Sequence, residues 1–326
     1  MIIVTGAAGF IGSAFVWQLN EMGIEDIIVS DKLRTEEKWL NLAKRKYYDW
    51  VDKDKLFDYL ETTAEKITAI IHMGACSATT EKDMDFLMEN NYEYTKKLWD
   101  YSVKNNAVFI YASSAATYGD GELGYDDEIG LEGHNALRPL NKYGYSKKIF
   151  DVWALKQEKT PKKWFGLKYF NVYGPQEYHK GRMASMVFHA FNQYNAEKEV
   201  KLFKSHKDGY KDGYQLRDFV YIKDVTNVMY FLMKEINAPS GVYNLGTGSA
   251  RAFYELAKST VEAADGDAGK IKFVDMPEDL RGKYQYFTEA KMDKLKKAGY
   301  SRDFTSLEDG VKDYVQNYLM KEDKYL

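Results

Sequence analysis

The chain has 326 residues, more than one ordinary domain holds, and 45% of them are hydrophobic, enough to bury a sizeable core. Its 46 basic and 49 acidic residues leave a net charge of -3, with neither the positive excess nor the basic stripe that nucleic acid demands. Five scattered histidines and one cysteine give no metal-ligand spacing and no disulfide framework. With no signal peptide and no long apolar run, neither secretion nor membrane spanning is expected, and a reducing cytoplasm is the natural home.

In the first half, short apolar runs alternate with amphipathic stretches, the pattern of βαβ units feeding a parallel sheet. Strands are predicted at Ile2–Thr5, Ile27–Asp31, Ala69–Met73, Val108–Ser113 and Phe165–Phe170. Helices are predicted at Phe10–Met22, Lys82–Lys104 and Tyr143–Lys156. After Gly174 the rhythm loosens. Strands at Val200–Phe203 and Val242–Leu245 mix with helices near Met183–Tyr194, Arg251–Ala264 and Ser306–Met320. The fold class that follows is α/β, a Rossmann-type doubly wound parallel sheet with a smaller α/β C-terminal domain. Residues 1–172 form the dinucleotide-binding domain, joined by a segment near 216–248, and residues 173–326 form the substrate-binding domain. The stretch Lys204–Gln215, rich in Lys, Asp, Gly and Tyr, reads as a mobile surface loop.

The chain opens with IIVTGAAGFIG, a strand running into a glycine-spaced turn and then a helix. Gly6 permits the tight turn, Gly9 lets the backbone approach a pyrophosphate, and Gly12 lets the helix pack close on the sheet. The amides and dipole of the helix N-terminus then face the anion. Asp31, ending the second strand, is placed to hydrogen-bond an adenosine ribose, which favours NAD. Lys32, Arg34 and Lys38 follow at once, and such a cationic cluster suits a 2′-phosphate instead. Charge alone leaves NAD and NADP open.

Tyr143 and Lys147 stand four residues apart in YGYSK and share one helix face. A phenol titrates near ~10, too high for a base at neutral pH, and a neighbouring ammonium favours the phenolate. Tyr145, two residues from Lys147, points away from it. The strand end YASSAATYG places Ser113 and Ser114 at the carboxyl edge of the sheet, where ligands bind in open α/β folds. Ser114 is the better candidate to bridge a sugar oxygen and the tyrosine. Serine, tyrosine and lysine in this order, after the glycine fingerprint, make up the short-chain dehydrogenase triad.

TGAAGFIG, SSAATYG, YGYSK, KYFNVYGP, RDFVYIKDV and VYNLGTG together resemble the extended branch of that superfamily, the epimerases and dehydratases of nucleotide sugars. HMGACSATTEKD, ENNYEY, NVYGPQEYHKGRMAS and LRGKYQYFT resemble, more narrowly, the ADP-L-glycero-D-manno-heptose 6-epimerase family of lipopolysaccharide inner-core synthesis. The resemblance covers essentially the whole chain. It implies that Tyr143 is one acid/base and Lys180, in HKG, a second on the opposite face of the sugar, with Lys147 and Ser114 supporting the tyrosine. It implies a tightly held NADP, with NAD as the alternative. Beyond the three glycines and Lys147, the cofactor contacts would be Phe10, Ile11, Asp31, Lys32, Lys38, Lys53, the strand end Met73, Gly74, Ala75, Cys76 and Ser77, then Asn90 and Val172. The ADP-heptose would meet Ser114, Asn171, Arg182, His189, Phe203, Arg217 and Tyr284. A homo-oligomer, a pentamer, is likewise implied. Three departures stand out: Lys32 and Arg182 replace smaller polar residues of the family, and the loop between Phe203 and Arg217 is longer.

Read from chemistry alone, Arg217 suits a bidentate grip on a diphosphate or an internal salt bridge. Lys180 reads as a solvated loop lysine, and His189 serves a hydroxyl or helix packing equally. Dehydration of the sugar needs an extra acid and base just after the triad hydroxyl, where this chain has Ala115 and Ala116. A UDP-hexose 4-epimerase satisfies the triad equally well and is disfavoured only by the narrower motifs. A non-catalytic NADP sensor is disfavoured because such proteins lose the tyrosine or lysine, both present here.

Overall fold

Four apolar strands with no alternation predict a sheet covered on both faces. The computed structural model, which describes residues 1–235, 237–278 and 285–326, has that arrangement. Strands β1 (Ile2–Thr5), β2 (Ile27–Asp31), β3 (Asp49–Asp52), β4 (Ala69–His72), β5 (Val108–Ser114), β6 (Lys163–Tyr169) and β10 (Gly241–Leu245) form one sheet. Its order is β3-β2-β1-β4-β5-β6-β10, and every pairing is parallel.

Successive side chains of a strand point to opposite faces, and this divides the core. Val4, Val29, Ile71 and Ile110 lie with residues of helices Phe10–Glu21 and Ile222–Lys234 on one face. Ile3, Ile28, Ile70 and Phe109 lie with Leu56, Leu98, Trp99 and Phe150 of the helices on the other. Helix Ile222–Lys234 packs directly along Phe10–Glu21 before the chain enters β10.

Outside this sheet, β7 (Asn171–Tyr173), β9 (Leu216–Tyr221) and β11 (Ala250–Ala252) form a three-stranded sheet in the order β11-β9-β7. The parallel pair β8 (Val200–Phe203) and β12 (Ile271–Val274) packs its apolar side on helices Met186–Glu197 and Phe253–Ala263 through Ala190, Leu202, Ala257 and Val261.

The strand expectations hold to within two residues. The predicted helix over Lys82–Lys104 is broken up instead: Met84–Leu87 and Tyr94–Lys104 are α-helical, and a wider π-type turn over Met88–Glu93 joins them. The residues from Lys204 to Gln215 lack regular structure yet are laced together. Ser205 N–H donates to Asp212, Gly213 N–H to the Phe203 carbonyl, and buried Gln215 to the carbonyls of Phe203 and Lys204. Among the described residues no helix is long and apolar enough to cross a membrane, and no group of three acidic, His or Cys side chains suits a metal ion.

Candidate active site

The sheet order reverses direction between β1 and β4, and crevices of this kind hold ligands in open α/β folds. The turn after β1 and the strand end after β4 meet there. Gly6 has φ +62°, and a Cβ on it would stand 2.5 Å from the amide nitrogen of Gly74. A Cβ on Gly12 would stand 2.2 Å from the Gly6 carbonyl, so helix Phe10–Glu21 can begin this close only with glycine. No side chain caps the helix and no acid lies in its first turn, which leaves the amides of Phe10 and Ile11 to an anion.

Asp31 closes β2 nearly buried. One carboxylate oxygen accepts from Ala8 N–H at 2.9 Å, the other from Lys32 N–H at 2.7 Å and from the Lys38 ammonium at 2.9 Å. Lys38 therefore sits where the adenosine end of a dinucleotide would arrive. Lys32 turns to Asp54 on the surface. Lys53 donates to Asn90 and lies 4.9 Å from the Tyr94 ring centroid, with burial holding its ammonium below the usual range. The segment from Met73 to Ser77 is fixed by Asn91, which accepts from Cys76 N–H at 2.8 Å and donates to Cys76 O at 3.0 Å. The same amide donates to Ser146, so it binds the strand end to helix Lys142–Leu155.

That helix starts at Asn141, whose side chain accepts from Gly144 N–H at 2.7 Å. Tyr143 in the first turn is half-buried and Lys147 buried, while Tyr145 is exposed, as their spacing predicts. Ser113 and Ser114 separate as the alternation of a strand requires. Ser113 points into the core onto Asp151, and Ser114 reaches Tyr143. Burial pushes the Tyr143 phenol up, and the Ser114 hydroxyl hydrogen-bonded to it pulls it back. Lys147, expected to lower it, is not among the groups that shift it. Lys147 is held down at about 8 by burial, against the charge of Asp151, and has no hydrogen-bond partner among the described residues. A buried, unpartnered ammonium at the mouth of a glycine-lined crevice fits the ribose of a nicotinamide nucleotide.

Lys180 comes from another wall. It lies in the irregular turn Tyr178–Met183, and its ammonium stands 5.0 Å from the Phe10 ring centroid. Burial lowers its pKa and the charge of Glu177 works against that. Phe10 follows β1 and Ser114 ends β5, with β4 between, so Lys180 and the triad stand at different strand ends of the sheet.

Two residues missed by sequence reasoning hold the Lys180 wall. Buried Asn41 donates to Ala8 O at 2.9 Å and Gln176 O at 3.0 Å, so it ties the phosphate turn to the segment before Lys180. Buried Glu177 accepts from the Ser185 hydroxyl at 2.6 Å and the Gly174 amide at 3.4 Å, closing the loop from both sides. Only the GPQE string hinted at Glu177, and nothing pointed to Asn41. His179 beside them is depressed to about 4 by burial and by the charges of Lys38 and Lys180.

The remaining candidates differ in exposure and are not joined to the triad by any hydrogen bond among the described residues. Asn171 and Arg182 are exposed, while Val172, His189 and Phe203 are half-buried. Arg217 is buried and donates to the carbonyls of Leu216 and Gln285, with its guanidinium 5.7 Å from the Phe253 ring centroid. Tyr284 lies outside the described residues.

Residues 2–246 match the family described as NAD dependent epimerase/dehydratase. A protein of Fusobacterium nucleatum subsp. nucleatum described as ADP-L-glycero-D-manno-heptose-6-epimerase is 62% identical over 333 residues, which cover 100% of both chains. One of Nitratidesulfovibrio vulgaris with the same description is 51% identical over 328 residues, again 100% of both. The crystal structure of Helicobacter pylori ADP-L-glycero-D-manno-heptose-6-epimerase superposes with a TM-score of 0.79 at 31% identity, over 97% of this chain and 95% of that one.

Proposed function

This chain belongs to the NAD dependent epimerase/dehydratase family and, within it, to the ADP-L-glycero-D-manno-heptose-6-epimerases, and on that premise we propose the reaction it carries out. It interconverts ADP-D-glycero-β-D-manno-heptose and ADP-L-glycero-β-D-manno-heptose, as a step in lipopolysaccharide inner-core synthesis. The C6 alcohol is oxidised to a ketone, the ketone turns its other face, and the hydride returns there.

What supports this reading is Tyr143 hydrogen-bonded to Ser114 at the end of β5 and the Lys180 ammonium beside Phe10 after β1, which we take as the two sides of one site. Inversion at carbon needs a proton acceptor on one face and a donor on the other. A bound nicotinamide supplies the hydride acceptor and donor. Tyr143, hydrogen-bonded to Ser114, exchanges the alcohol proton on one face, and Lys180 on the other. Lys147, buried one helical turn after Tyr143, would hold the nicotinamide ribose.

NADP is the proposed cofactor, with the lysines around Asp31 receiving the 2′-phosphate. The phosphate turn and strand end formed by Gly6, Gly9, Gly12, Phe10, Ile11 and Met73 to Ser77 would cradle the remainder, with Lys53, Asn90 and Val172 at its edge. The proposed contacts of the ADP-heptose are Asn171, Arg182, His189, Phe203 and Arg217, with Tyr284, which lies outside the described residues. Residues 1–172 with the segment near 216–248 form the cofactor domain, and 173–326 otherwise the substrate domain. A cytoplasmic homo-oligomer, a pentamer, completes the proposal.

The test is incubation with ADP-D-glycero-β-D-manno-heptose, no cofactor added, with C6 configuration followed by proton NMR and UDP-galactose as control. Heptose conversion is expected, and acid release should yield NADP. Turnover of UDP-galactose alone would replace the reading with a 4-epimerase.

A further inference from the structure

Behind the triad, where helix Lys142–Leu155 meets the sheet, lies an ion pair with no access to water. Asp151 and Lys168 are both 0% exposed and meet at 2.9 Å. Asp151 also accepts from the hydroxyls of Tyr111 at 2.9 Å and Ser113 at 2.7 Å. Lys168 donates to Thr117 as well, and its ammonium stands 4.8 Å from the Tyr118 ring centroid. Four elements are joined: β5 through Tyr111 and Ser113, the turn after it through Thr117 and Tyr118, β6 through Lys168, and the helix through Asp151.

Desolvating two charges is costly, and well-packed apolar residues of the same volume commonly serve stability as well or better. What an apolar pair does not provide is direction. Hydrogen bonds fix the rotation and height of the helix against β5, whereas dispersion contacts allow sliding. The cluster lies next to the reacting groups along the chain, for Ser113 precedes Ser114 and Asp151 follows Lys147 by one helical turn.

We propose that Asp151 and Lys168 are positioning residues for the epimerisation: their buried cluster sets Lys147 and Tyr143 against Ser114. This rests on the triad reading above. The titratable groups facing Lys147 are Asp151 on its own helix, Cys76 after β4 and His72 within β4. Burial lowers Lys147 to about 8, and of these groups Asp151 acts most strongly to raise it.

The experiment compares Asp151→Asn/Lys168→Met, which removes both charges together, with the unaltered protein. Circular dichroism and NADPH affinity by fluorescence quenching report whether the fold and the cofactor cradle persist. The expected result is a kcat lowered by about tenfold or more with KM little changed. The alkaline limb of the kcat profile should also move to lower pH, since Lys147 loses the charge that raises it. A folded double variant with unchanged kcat and an unmoved limb overturns the proposal. Tyr111→Phe keeps both charges and removes one donor to Asp151, so it should lower kcat with the limb in place, and full kcat there also overturns it. Lys147→Met run in parallel separates the failures, because full activity in that variant defeats the triad reading itself.

Discussion

The two walls of the crevice are built by different means. The wall bearing Ser114, Tyr143 and Lys147 consists of a strand end and a helix, and the periods of those elements decide which side chain faces where. The wall bearing Lys180 has no such period. It is a short irregular turn whose Gly181 takes φ +52°, and it keeps its place through the side chains of Asn41 and Glu177 bonded to backbone. Position on the first wall is a property of secondary structure, and on the second it belongs to individual hydrogen bonds. The second wall should therefore be the easier one to disturb without unfolding the molecule.

The sharpest way to break this comparison is to remove the reacting group from each wall. Tyr143→Phe should lower kcat by roughly 10²–10⁴-fold in a folded protein, measured by NMR-monitored epimerisation. Lys180→Met should cost on the order of 10²-fold, since a ketone left on that face has no proton donor. Full activity in either variant would remove the two-sided mechanism.

The next test targets the supports. Glu177→Gln keeps the shape and deletes the charge that holds the Lys180 ammonium up, so the limb of the profile assigned to Lys180 should move to lower pH. A loss of kcat of about tenfold is expected with it. An unmoved limb would separate Glu177 from Lys180.

The smallest effect concerns stability. Lys147 has a folded-state pKa of about 8, below its ordinary value of 10.5, so the unfolded chain binds more protons between those two pH values. Burial of this charge opposes folding fully below about 8, and the penalty fades as pH rises toward 10.5. Lys147→Met should raise the melting temperature of the cofactor-free protein by a few degrees at neutral pH, with the gain shrinking over that window. A constant gain across the window would show that packing, not charge, was relieved.

The same contrast decides what could be read in the sequence. β1, β2, β4 and β5 were legible because each is apolar on both faces; Ser114 was preferred to Ser113 for standing four residues before Tyr118, and the alternation of β5 is what separates the two in the structure. Gly6, Gly9 and Gly12 announced the phosphate turn because they stand between a strand and a helix, with Asp31 at the end of the next strand. Asp49–Asp52 was missed because three of its four residues are charged or aromatic and partly exposed, as befits a sheet edge. The break near Met88–Glu93 was missed because apolar spacing is blind to one extra residue in a helical turn. Asn41 and Gln176 meet across 135 residues of chain, and no local pattern encodes such a contact. Asp151 and Lys168 read as ordinary charged residues until the fold buried them.

Strand β10 has a consequence for how the molecule is made. It closes the sheet beside β6 with residues 241–245, and helix Ile222–Lys234 arrives with it to cover Phe10–Glu21. A ribosome that has delivered only the first 220 residues has exposed a bare strand edge and an uncovered apolar helix flank. Nascent chains at that stage are prone to pair with one another, and the half that opens the sequence is among the last to become secure. Genetic fusions that place a foreign domain between residues 221 and 241 should for that reason depress soluble yield far more than fusions at either end.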